Sequence, residues 1–292
     1  MSQNSPSSLE RPPVVIVGAA RSGTNMLRDL LVSLPGFVTW PCDEINYVWR
    51  HGNRDFPTDQ FSRAMADDKT KSYIRRQFEK LPRENSDTIV EKTCATTFRC
   101  GFVHEVLPEA KFINIIRDGR DVASSAALRW NAKLDLPYII KKARYVPLSD
   151  IPYYGFKYFK ARLYRIFAGK KRLSTWGPRF EGMDEVFAKH SLAVGCAIQW
   201  SESVESALEQ LKEIPPEQVL SIRYEEFTSK PVEGLTNVCR FLGAEVDEPL
   251  LQSLATGVSS KSVGNWKRHL SEDDLAEIEA HAGPLLRELG YE

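Results

Sequence analysis

Four short apolar runs set the rhythm of the chain. Val14-Val15-Ile16-Val17 is continuous and β-branched and is closed by Gly18, the pattern of a strand buried on both faces. Phe37 to Trp40, Thr88 to Val90 and Lys111 to Ile116 read the same way, and Val219 to Ile222 adds a fifth strand later in the chain. Between them the spacing changes to a helical period. Met26, Leu27, Leu30, Leu31 and Leu34 mark a helix over Thr24 to Leu34, stopped by Pro35-Gly36. Further helices are expected over Thr58 to Leu81, Phe98 to Leu107, Asp118 to Trp130, and from beyond Phe227 to about Leu242. A last one is capped by Ser271, with Glu272, Asp273 and Asp274 in its first turn. Strands alternating with helices imply an α/β fold. The expectation is a three-layer, P-loop NTPase-like core with a parallel sheet of about five strands and helices on both faces. Ligands of such sheets sit beyond the carboxyl ends of the strands.

The rhythm breaks between about 133 and 183. From Lys141 to Arg179 there are eleven basic residues and one acidic, Asp150. This segment is expected to be a basic helical insertion within a single domain spanning 14–292, after a disordered lead over 1–13. Phe156, Phe159, Leu163, Ile166 and Phe167 share one helical face, with Lys157, Lys160, Arg165 and Lys170 elsewhere. Three readings stand: an interfacial helix touching anionic lipid, a lid turning its charges to a polyanionic acceptor, and a solvated amphipathic helix.

Composition narrows the classes. The 292 residues carry 39 Lys plus Arg and 39 Asp plus Glu, so no global positive field points to nucleic acid. Five cysteines, with no C-x-x-C pair and no nearby His ladder, argue against both a disulfide framework and a zinc site. The polar lead has no signal-peptide core, and the expected location is cytoplasmic, with peripheral membrane contact through the basic segment left open.

The chemistry gathers at strand ends. Gly18-Ala19-Ala20-Arg21-Ser22-Gly23-Thr24-Asn25 joins the first strand to the first helix, where backbone N–H groups cradle an anion. The glycine spacing is that of a Walker loop, but Thr24 replaces its Lys and Asn25 its magnesium-binding Ser/Thr. The fourth strand ends in Arg117 rather than a Walker-B Asp, with Ser124 and Ser125 in the helix that follows. A magnesium-nucleotide phosphoryl transferase is therefore disfavoured. Two anion sites at adjacent strand ends suggest a nucleotide phosphorylated at two positions.

On these motifs the chain resembles the 3′-phosphoadenosine 5′-phosphosulfate (PAPS) dependent sulfotransferases, closer to carbohydrate and tyrosylprotein members than to cytosolic small-molecule ones. Gly18 to Thr24 matches the family's 5′-phosphate loop, and Arg117 with Ser125 its 3′-phosphate motif. Glu91-Lys92-Thr93, Tyr224 before Glu225-Glu226, and Trp266-Lys267-Arg268 resemble its E-K-[TS], adenine-side and late-loop segments. The resemblance implies PAPS as donor, adenosine 3′,5′-bisphosphate as product, no metal, and cofactor contacts from Ala20, Arg21, Ser22, Gly23, Thr24, Asn25, Arg117, Ser125, Tyr224, Trp266, Lys267 and Arg268. It also implies catalysis by Arg21, Lys92 and a general base. Cytosolic members place a His after K-T, where this chain has Cys94. Tyrosylprotein-type members use a Glu after the second strand, which gives Glu44, with Asp43 competing. Lys92 has a plainer reading as the ion-pair partner of Glu91. The expected acceptor is a hydroxyl of a carbohydrate or lipid-linked glycan; a protein tyrosine or small alcohol is the second choice. The competing classes are a P-loop kinase or NTPase and a non-catalytic nucleotide- or glycan-binding module.

Overall fold

The computed structural model describes residues 9–81, 84, 87–130, 150 and 177–291. Residues 1–8 of the lead and nearly all of the basic segment, including Lys157, Lys160 and Arg165, lie outside the described residues.

Five parallel strands form the sheet: β1 (Val14–Val17), β2 (Phe37–Val38), β3 (Thr88–Lys92), β4 (Lys111–Ile116) and β5 (Val219–Arg223), in the order β2-β3-β1-β4-β5. β1 is central, with Val14 in register with Val90 on one side and Lys111 on the other. All four of its side chains are fully buried, as an uninterrupted β-branched run requires when both faces are covered. The pleat then sorts them. Val15 and Val17 pack with α2 (Asn46–Trp49), α3 (Asp68–Glu79) and α4 (Cys100–Val106). Val14 and Ile16 pack with α1 (Thr24–Val32) and the later helices of the opposite face. The three-layer expectation holds.

A third cluster joins α5 (Gly119–Trp130), α6 (Met183–Lys189) and α7 (Leu192–Leu211) beside the sheet. Phe180 and Met183, at the far end of the basic segment, are buried in it. Four further helices are α8 (Tyr224–Ser229), α9 (Pro231–Leu242), α10 (Glu248–Ala255) and α11 (Trp266–His269). The chain closes with α12 (Glu272–Glu288), whose N-cap Ser271 accepts from Asp274 N–H as expected.

Several boundaries differ from expectation: β2 stops at Val38 where a strand to Trp40 was expected. The helix anticipated over Thr58 to Leu81 begins only at Asp68, because Asp67 caps it by accepting from Thr70 N–H. The stretch before it is held elsewhere: Asp59 N–H donates to Arg179 O, and Asp59 Oδ2 accepts from Arg179 N–H. α7, twenty residues long, went unanticipated. Among the described residues no helix is long and apolar enough to cross a membrane.

Candidate active site

The loop between β1 and α1 is shaped by its neighbours. A Cβ on Gly18 would lie 2.8 Å from the Ile115 carbonyl, so β4 can run alongside only a glycine. Gly23 has φ +91°, and a Cβ there would sit 2.5 Å from the Tyr224 ring. Arg21 has φ 74°, the sole left-handed non-glycine residue among those described, a conformation that costs roughly 1–2 kcal/mol. Strain of this kind is stored where a backbone must point its groups at something. α1 begins at Thr24 with neither a side-chain cap nor an acidic residue in its first turn. Ser22 Oγ is buried with no hydrogen-bond partner. Uncapped N–H groups and an orphaned hydroxyl form a cradle for an oxyanion. Ala20 and Asn25 flank it, and Asn25 is exposed.

Arg117 follows β4 directly and is largely buried. Its Nη1 donates to Arg21 O (3.0 Å), its Nη2 to Ser262 O (2.7 Å), and its guanidinium lies 4.5 Å from the Tyr224 ring centroid. Its Nε is buried and unpartnered. Ser125 accepts from Arg21 Nε at 3.0 Å. The two expected anion sites therefore touch, joined through Arg21. Partial burial, then the positive charges of Arg129 and Arg117, lower the pKa of Arg21 from its ordinary value.

The late loop is pinned over this region by a residue that sequence reading had placed only in a helix start. Asp121 accepts from Gly264 N–H (2.7 Å) and Trp266 N–H (2.9 Å), and Tyr224 OH pairs with Ser262 Oγ (2.9 Å). Trp266 lies against the Arg120 guanidinium, 4.3 Å from ring centroid to Cζ, while Lys267 and Arg268 are exposed. The i,i+4 spacing of Arg117 and Asp121 was the available signal for Asp121; Ser262 had none.

The third group lies across β3. Lys92 Nζ donates to Asp43 Oδ1 (3.1 Å) and Glu44 Oε1 (3.2 Å). Its expected alternative partner, Glu91, takes no part, because successive strand residues point to opposite faces. Glu91 is fully buried and accepts from Thr93 Oγ1 instead, and burial raises its pKa. Asp43 also accepts from Arg28 Nη1 at 2.6 Å, and Glu44 Oε1 from Cys94 N–H at 3.3 Å. Burial works to raise the Asp43 pKa, but Lys92 and Arg28 outweigh it and bring it to about 2. Burial likewise opposes the charge on Lys92, and its acidic neighbours Cys94, Glu44 and Asp43 outweigh it, holding the ammonium well above its usual range. Cys94 is pushed up to about 12, by burial first and then by Glu44, and stays a thiol. Sequence reading missed Arg28, one turn into α1 and on no motif.

Beside Asp43 opens a cleft of about 360 Å³ lined by Arg28, Asp29, Thr39, Trp40, Pro41 and Cys42. Arg21 and Glu44 thus stand beyond the carboxyl ends of β1 and β2, and Lys92 at the carboxyl end of β3, as the open-sheet rule requires.

Comparison with known proteins follows this geometry. A sequence model of the sulfotransferase family matches residues 12–144 and 161–248, leaving 145–160 of the basic segment unmatched. No curated protein matches the chain in sequence. Among solved structures, a sulfotransferase domain from the curacin biosynthetic pathway superposes with TM-score 0.54 at 15% identity, covering 94% of this chain and 97% of that one. Mouse sulfotransferase SULT7A1, complexed with PAP, gives 0.53 at 14% identity over 96% and 86%. Sulfotransferase STF9 from Mycobacterium avium gives 0.53 at 13% identity over 98% and 78%. At these identities the likeness to solved structures is one of fold.

Proposed function

The chain belongs to the sulfotransferase family, and from that premise we propose that it moves a sulfuryl group from PAPS to a hydroxyl of a carbohydrate or lipid-linked glycan. The observation that carries the reading is Lys92, which holds Asp43 and Glu44 together at the strand end next to an uncapped phosphate loop.

The residues fit PAPS. Two buried polar atoms without partners, Ser22 Oγ and Arg117 Nε, stand on the two phosphate motifs. The hydroxyls of Ser22 and Thr24 and the N–H groups of Gly23 and Thr24 would hold the 5′-phosphate, flanked by Ala20 and Asn25. Arg117 and Ser125 would hold the 3′-phosphate, Tyr224 would lie on the adenine side, and Trp266, Lys267 and Arg268 would close the late loop over the nucleotide. The mouse relative is crystallised with PAP, which supports the same nucleotide here. When bound, PAPS supplies a sulfuryl group joined to phosphate through an anhydride oxygen. Glu44 takes the proton from the acceptor hydroxyl, its Oε1 oriented by Lys92 and the Cys94 N–H. Asp43, held near pKa 2, is the poorer base and serves to fix Lys92. Arg21 and Lys92 offset negative charge on the transferring group, the electrostatic contribution that dominates such sites.

A carbohydrate acceptor is supported by the cleft beside Asp43, where Arg28, Asp29 and Thr39 offer hydrogen bonds to hydroxyls next to Trp40. The experiment is transfer of radiolabelled sulfate from PAPS across sugars, glycolipids, tyrosine peptides and small alcohols. Label on sugars or glycolipids is expected. Label confined to tyrosine or simple alcohols overturns the acceptor assignment, and transfer to none of the classes overturns the reading.

A further inference from the structure

Among the described residues, one group of metal-ligating side chains lies outside the site above. His190 sits in the link between α6 and α7, and Glu277 and His281 stand four residues apart on one face of α12. One donor atom from each lies within 4.8 Å of the others. We propose that His190, Glu277 and His281 bind a divalent transition-metal ion of the zinc type, with water completing the coordination.

The geometry is close to assembled. His190 Nδ1 and Glu277 Oε1 already share a hydrogen bond of 2.6 Å. A metal ion between them takes the place of the proton on Nδ1, which moves to Nε2 where that nitrogen is bare and is released to solvent where it already carries a proton. A tetrahedral ion with bonds of about 2.0–2.1 Å sets its ligands roughly 3.3 Å apart, so the third donor has at most about 1.5 Å to close. His281 is exposed and Glu277 half-buried, so both side chains can turn without disturbing the core.

An ordinary ion pair needs only two of these residues. The His281 ring stands 4.9 Å from the His190 ring at 79°, bringing a second imidazole that the pair does not use. Two imidazoles and one carboxylate suit zinc, nickel or copper and are a poor set for magnesium or calcium, which take oxygen ligands. Nearby hydrogen bonds brace the same junction: Ser191 caps α7 and donates to Asp274 one turn before Glu277. The ion would tie α12 to the α6–α7 link. α12 ends where Arg223 Nη1 donates to Leu289 O and Tyr291 OH to Glu225, which also accepts from Asp118 N–H beside Arg117. A bound ion therefore steadies the helix that leads to those contacts. It contributes nothing to sulfuryl transfer as proposed above.

The test uses full-length protein without an affinity tag, stripped by a chelator and titrated calorimetrically with zinc chloride at pH 7.5. One ion should bind, with hydrogen-exchange protection rising in α12. His281→Ala should weaken binding at least tenfold, and Glu277→Gln should do the same. His269→Ala, a histidine on α11, should leave it unchanged. Thermal melts without zinc should match the parent for each variant, which separates lost ligation from lost folding. Absence of binding, or binding that neither His281→Ala nor Glu277→Gln alters, overturns the proposal.

Discussion

The phosphate loop and the Asp43–Glu44 pair stand at neighbouring strand ends, yet their polar groups are committed in opposite ways. Around the loop, donors are held without acceptors: α1 has no cap, Ser22 Oγ has no partner, and Arg21 is kept in a left-handed conformation. Around the pair, each carboxylate already meets a cation or an N–H, with Lys92 shared between them. One region is incomplete until an anion arrives, whereas the other is neutralised within the protein and keeps its geometry unaided. Damage to the first should appear as lost binding, and damage to the second as lost rate.

The sharpest test of that division is Glu44→Gln. Turnover should fall by about 10²–10⁴-fold, as when a general base is removed, while calorimetric affinity for adenosine 3′,5′-bisphosphate stays within error. If Asp43→Asn is the dead variant and Glu44→Gln is active, the base is Asp43. Next in size is Arg117→Ala. It should erase most of the preference for the bisphosphate over ADP, by about 1.5–3 kcal/mol for a hydrogen bond to a charged group, measured without magnesium. An unchanged preference would move the 3′-phosphate site elsewhere.

Acid should expose the pair's own contribution to stability. The folded pKa of Asp43 is lowered from 3.8 to about 2, so the stabilisation is complete above about pH 4 and is lost as pH falls through 2. The shift corresponds to about 2 kcal/mol. The stability gap between parent and Asp43→Asn, read from denaturant melts, should therefore narrow between pH 4 and pH 2; a constant gap would show that the charge is not what matters. The smallest effect belongs to the loop. Arg21→Gly should relieve left-handed strain and raise stability by at most about 1 kcal/mol, while nucleotide affinity falls. A loss of stability would show that the bond from the Arg21 side chain to Ser125 outweighs the strain.

These two regions were not equally legible in the sequence. The phosphate loop is eight consecutive residues running from the end of a strand into the first turn of a helix, so its geometry is local and its motif complete. Arg117 and Ser125 are readable for the same reason, being one strand end and its following helix. Arg28 and Ser262 join the site only because the fold brings them to Asp43 and Arg117, and no spacing announces that. α7 was hidden differently. Its buried surface includes Gly195, Gln199, Ser201 and Ser203 beside the stripe of Val194, Ala197, Trp200 and Val204, and these small and polar positions blur the amphipathic period that a surface helix shows. Its Ser191 cap was the one local signal. The helix expected from Thr58 failed at its start, because nothing in that stretch foretells pairing with Arg179.

The central place of β1 bears on how the chain comes into being. It is the first of the five sheet strands to be synthesised, yet residue 14 pairs with residues 90 and 111, so both its neighbours arrive much later. Until β3 and β4 have left the ribosome, Val14 to Val17 is a bare, β-branched segment with two open edges. Such non-local parallel pairing is slow to form and prone to misassembly while it waits. Fragments ending before residue 116 would leave one edge of β1 without its complete β4 partner, and soluble expression should improve abruptly only once β4 is included.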